Sequence, residues 1–104
     1  MFETSNFLKN CHPVLPSNIW IFCLDSKNQP FIKIQRSKND KMMPDDSFIM
    51  TISEQPTIIG DIGIETTQKD IVYFNEFIRN NKSILLDYWN GNLDTFELTS
   101  KLMF

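Results

Sequence analysis

The strongest constraint on this chain is the spacing of its large apolar residues between Thr67 and Asn90. At roughly 100° per residue, Ile71, Phe74, Ile78, Leu85 and Trp89 fall within a stripe about 60° wide. Glu76, Arg79, Asn80, Ser83 and Asp87 take the opposite side. Such a segment is expected to fold as one amphipathic helix, 68–89, that must lay its stripe on a partner surface. Thr67 can accept the free amide three residues on, and Asp70 stands in the first turn against the positive helix end. Asn90-Gly91 supplies a left-handed stop. Asp94-Thr95-Phe96-Glu97 then has the form of a capping box, with Leu93 and Leu98 at the staple positions. A short helix 95–103 carrying Leu98, Leu102 and Met103 is predicted to follow. The competing reading, a hairpin turning at Asn90-Gly91, would break the stripe that runs back to Ile71.

The surface under this helix is written between residues 18 and 60. Ile19-Trp20-Ile21-Phe22-Cys23-Leu24 is a continuous β-prone run, suited to a strand buried on both faces. Asp25 to Pro30 reads as a turn. Phe31 to Arg36 alternates from Ile32 onward, as a half-buried strand does. Ser37 to Asp46 is polar, contains Pro44 and reads as a loop. Ser47 to Ser53 resumes the alternation, and Ile58-Ile59 beyond Pro56 can add a bent edge strand. Residues 1–17 read as an irregular N-terminal segment, with Ser5 capping a short helical turn through Phe7-Leu8-Lys9 that Pro13 and Pro16 stop. The fold class expected is α+β: a small, mainly antiparallel sheet of three or four strands from 18–60, packed against a long C-terminal helix and a short terminal helix. At 104 residues this is one domain, 1–104, whose helical part is 66–104.

The same sequence excludes more chemistry than it invites. No apolar run approaches the ~20 residues needed to span a bilayer, so no membrane association is expected. Met1-Phe2-Glu3-Thr4 lacks the basic and apolar stretches of a signal peptide, which points to the cytoplasm and to Cys11 and Cys23 as two thiols rather than a disulfide. His12, the single histidine, adjoins Cys11, and sequence neighbours rarely face each other as a nucleophile pair does. There is no Cys-x-x-Cys pair for zinc. Asp45-Asp46 reads as a solvated turn, and Gly60, Gly63 and Gly91 match no phosphate-binding loop. No catalytic residue, metal or cofactor is assigned.

Two surfaces remain as candidates. Net charge is −3, and residues 53–104 hold four cations against eight acids, −4 for the helical half. That acidic half also carries aromatic residues beyond the needs of one stripe. Tyr73, Glu76, Phe77, Ile84, Asp87 and Tyr88 are therefore the candidate contacts for a partner protein, or for self-association as a homodimer. The alternative is a basic strand and loop, Lys33, Arg36, Lys38 and Lys41, which with His12 as a proton donor could serve a small RNA-binding or ribonuclease-type toxin. Asp40, Asp45 and Asp46 dilute that patch, and the acidic whole disfavours nucleic acid.

One stretch carries a resemblance. Phe77-Ile78-Arg79-Asn80-Asn81-Lys82-Ser83-Ile84-Leu85-Leu86-Asp87-Tyr88-Trp89-Asn90-Gly91, continued by Asp94-Thr95-Phe96-Glu97-Leu98, resembles the C-terminal end of small uncharacterised bacterial proteins. Those proteins occur in plasmid, prophage and toxin–antitoxin neighbourhoods. The resemblance covers about a quarter of the chain and rests on core and cap positions. It implies a shared fold for that quarter, says little of activity and transfers no catalytic residue. The function expected from the aromatic and acidic helical half is that of a non-enzymatic antitoxin, inhibitor or adaptor, bacterial or mobile-element encoded, that binds a partner protein.

Overall fold

The computed structural model describes residues 3–104; the first two positions of the N-terminal reading lie outside them. The architecture is α+β in two layers, a five-stranded antiparallel sheet with three helices on one face. The strands are β1 (Glu3–Phe7), β2 (Ile19–Cys23), β3 (Phe31–Gln35), β4 (Ser47–Thr51) and β5 (Ile58–Ile59), and they pair in chain order. Four of them come from the predicted segment. The fifth, β1, corrects the reading of residues 1–17 as irregular. Thr4 and Asn6 point to solvent while Ser5 and Phe7 are buried, and Phe7 pairs with Ile19. This alternation is that of a half-buried edge strand, but a polar Ser on the inner face hid it. The helical turn expected behind a Ser5 cap does not form, because Ser5 and Phe7 lie in β1 and Ser5 bonds Tyr88. A turn follows the strand instead, where the amides of Cys11 and His12 both donate to Leu8 O, at 3.1 and 3.0 Å.

Register builds the inner face of the sheet. Ser5, Ile21, Ile32 and Met50 form one cross-strand row, and Phe7, Ile19, Ile34 and Phe48 the next. All eight are buried. Phe74, Ile78, Leu85 and Leu98 cover them from the helices in one contiguous core. Each such aliphatic or aromatic side chain contributes about 1.5–3 kcal/mol by leaving water. Trp20 falls on the other face by alternation and is still buried, so β2 is covered on both sides as its composition predicts.

The predicted long helix is instead two: α1 (Gln68–Asn80) and α2 (Lys82–Trp89), divided at Asn81. The reason is a side chain, since Asn81 sits at φ −112° and ψ 15° and is fully buried. Its Nδ2 donates to Phe77 O at 2.9 Å and to Met103 O at 2.7 Å, and Met103 N–H donates back to Oδ1 at 2.9 Å. Asn competes with helical bonding in this way because its amide resembles a peptide group on a short tether. The apolar stripe survives the break. Phe74, Ile78, Leu85 and Trp89 are buried, and the five predicted outward residues are exposed.

The helix ends follow their sequence signals. Thr67 and Asp70 form a reciprocal capping box, as do Asp94 and Glu97 at the start of α3 (Thr95–Lys101). α2 ends with Gly91 N–H on Tyr88 O at 3.1 Å and Asn92 N–H on Asp87 O at 2.8 Å. That double bond pattern requires the left-handed φ of +79° that Gly91 adopts. The hairpin alternative at Asn90-Gly91 is thereby replaced by a helix–turn–helix corner.

Candidate functional site

Where α1 meets the returning end of the chain, a groove of about 330 Å³ opens between Tyr73, Glu76, Phe77, Asn80, Met103 and Phe104. α1 supplies four of these at the spacing of successive turns on one helix face. Asn81 supplies the rest indirectly, because its two-way bond to the Met103 peptide holds the chain end alongside α1. The floor is aromatic. Tyr73 stacks on Phe77 at 6.3 Å, and Phe77 on Phe104 at 5.7 Å. The line continues as His12 stacks on Phe104 at 4.6 Å and tilts against Phe7 at 5.5 Å. Each ring pair adds about 0.5–1.5 kcal/mol beyond its burial.

The rim is polar and the mouth apolar. Met103 is 59% and Phe104 38% exposed, both large apolar residues left facing water. Glu76 and Asn80 are exposed, and among the described residues Glu76 enters no ion pair. The Tyr73 hydroxyl oxygen is buried with no hydrogen-bond partner, and burial pushes its titration above the ordinary phenol range. A buried hydroxyl without a partner costs about 1–3 kcal/mol.

The candidate partner residues divide. Tyr73, Glu76 and Phe77 share the groove, with Phe77 buried as its floor. Ile84 is half-buried and Asp87 exposed, both on α2 outside it. Tyr88 is corrected outright: it is fully buried, its hydroxyl 2.8 Å from Ser5 Oγ and 3.2 Å from Thr95 Oγ1. The helical layer has a second covered side that periodicity could not reveal, since β1 and α3 close over Tyr88 as the chain end closes over Phe77. Met103, Phe104 and Asn80 were missed as site residues. The visible signal is Met103 and Phe104 in succession at the end of the sequence; the predicted helix 95–103 takes in Met103, but α3 ends at Lys101.

The basic alternative is not assembled as a patch. Arg36 Nε lies 2.9 Å from Asp46 Oδ1. The Asp46 carboxyl is held below its usual range by hydrogen bonding to Ser37 first, then to Arg36. Lys38 Nζ lies 2.5 Å from Asp70 Oδ2 and also reaches Pro16 O and Ser17 Oγ. Lys33 Nζ sits 5.9 Å from the Phe22 ring centroid. Lys41 is exposed, but its carbonyl, with those of Ser37 and Asn39, turns inward to the buried amide of Gln35. Asn18 Nδ2 takes the same Asn39 and Lys41 carbonyls, so the loop is folded down by two amides that the sequence reading passed over. His12 belongs to the aromatic line at the chain end.

A larger wedge, about 460 Å³, lies between Cys23, Asp25, Gly91 and the start of α3. Of its three carboxylates, Asp94 and Glu97 are engaged in capping α3, and Asp25 is exposed. Among the described residues no three His, Cys, Asp or Glu side chains gather where they could hold a metal ion, and no helix is long and apolar enough to cross a membrane. No known protein family, curated protein or solved structure matches the chain.

Proposed function

We propose that this chain is a non-enzymatic protein-interaction module, an antitoxin, inhibitor or adaptor of bacterial or mobile-element origin, that holds a partner protein in the α1–chain-end groove. The observation carrying this reading is one juxtaposition: two large exposed apolar side chains, Met103 and Phe104, line one groove with Tyr73, Phe77 and the exposed Glu76 and Asn80. Exposed apolar surface rimmed by polar groups is the usual mark of a contact site on a small domain. The RNA reading loses support because two of its four cations are already held by carboxylates.

Photo-crosslinking in the native host tests the reading. A photoreactive residue at Met103 or Asn80 is expected to give a discrete adduct with one protein. The same residue at Lys27, on the exposed β2–β3 turn, is expected to give none. Equal labelling from all three positions, or none from the groove, would overturn it.

A further inference from the structure

We infer that the partner segment is basic and amphipathic: one aromatic or long aliphatic side chain entering the groove, flanked by Lys or Arg. This deepens the groove reading and rests on it. Three features select that chemistry. The floor is a pair of stacked rings, Phe77 and Phe104 at 5.7 Å, which favours a flat or long apolar side chain over a small one. The space of about 330 Å³ has room for one such side chain and lies at the lower end of small-ligand sites. The third feature is charge. Glu76 is the charged residue lining the groove, is exposed, and has no ion pair among the described residues.

The nearest cation along α1, Arg79, forms no ion pair with Glu76, although the two line a common pocket with Glu54. Glu76 is thus left to an incoming cation, in a chain of net charge −3 whose helical half carries −4. Attraction over that field speeds encounter with a basic partner and repels an acidic one.

The full chain is titrated with labelled peptides of about a dozen residues, followed by polarisation and by backbone amide shifts. The probe carries one Trp between Lys and Arg. One control replaces the Trp by Ser, and another exchanges every cation for Glu. The basic Trp peptide should bind at least about tenfold tighter than either control, with shifts centred on Tyr73, Glu76, Asn80 and Met103. Glu76→Gln should weaken it about two- to fivefold, the range of an exposed ion pair, and about 0.5 M salt should erase that difference. Glu76 is exposed, so the variant is expected to fold, and matching thermal unfolding checks this. Tighter binding of the acidic peptide in the same groove would sink the charge assignment while leaving the groove reading standing. Shifts elsewhere, or none with any peptide, would overturn both. Self-association abolished by Phe104→Ala would replace the peptide with a second copy.

Discussion

Removing the Asn81 side chain should unfasten the end of the chain, and the cost can be worked out bond by bond. Asn81→Ala deletes two hydrogen bonds to the Met103 peptide, at 2.7 and 2.9 Å, and one to Phe77 O at 2.9 Å. At about 1 kcal/mol net for each, the gross loss is about 3 kcal/mol. Two effects reduce it. Phe77 O keeps the Asn81 backbone amide at 3.1 Å. Met103 is largely exposed, so its freed peptide groups reach water and incur no full desolvation penalty. The expected net loss is about 2 kcal/mol, or a fall in Tm of about 8–16 °C for a domain of this size. Urea unfolding and thermal circular dichroism measure it, with Asn80→Ala as the exposed control expected within about 0.5 kcal/mol of the parent. Hydrogen exchange at the Met103 amide should accelerate in the Asn81 variant. A loss under about 0.5 kcal/mol, or unchanged Met103 protection, would show that the clip does not hold the chain end.

Three further outcomes follow from the same geometry. Tyr88→Phe should lose about 1–2 kcal/mol by urea unfolding, since it strips a buried hydroxyl from Ser5 and Thr95; in a double-mutant cycle with Ser5→Ala the losses should fall short of additive by about 1 kcal/mol. Asp70 is pushed up by burial but pulled further down by Lys38 and the Thr67 amide, so its folded-state carboxyl titrates below the ordinary range. Its stabilisation is therefore present above the unfolded value of about 4 and lost as pH falls through the folded one; Asp70→Asn should be about 1 kcal/mol less stable at neutral pH, and a gap that stayed constant down to about pH 3 would refute the linkage. Gly91→Ala should cost about 1 kcal/mol from the φ of +79° alone, because an added Cβ would meet only Cys23 Sγ, at an ordinary 4.0 Å; thermal unfolding checks it.

Periodicity and end signals located most elements because both depend on neighbours in sequence. The Phe74–Ile78–Leu85–Trp89 stripe, both capping boxes and the Gly91 stop are local, and each is found where its spacing puts it. What stayed illegible was polar and long-range. Ser5 reads as a helix cap until it meets Tyr88 eighty-three positions away. Asn18, Gln35 and Asn81 are polar by composition, yet all three are buried because folded loops and termini bring backbone groups to their amides. An amide side chain that will be buried carries no hydropathy signal, so the helix break at Asn81 could not be read from the stripe. The same limit split the candidate site: Tyr73, Glu76 and Phe77 were visible on one helix face, whereas the opposing wall exists only because the chain returns.

That return ties the stability of the fold to the shape of the site. Asn81 holds the Met103 peptide, the Met103 position places Phe104 on Phe77, and Phe104 also stacks on His12, which leans on Phe7 of β1. The wall of the groove is therefore anchored both to the helix break and to the edge strand. Changes at Asn81 or Phe104 must move folding and binding together, since each removes core contacts as well as lining. Glu76 and Asn80 are exposed and make no such contacts, so substitutions there should alter partner binding at constant Tm. The separation gives the interaction reading its sharpest form. If the groove is only a by-product of packing the chain end, Glu76 variants will be silent in every assay; if it is a site, they will be silent in unfolding alone.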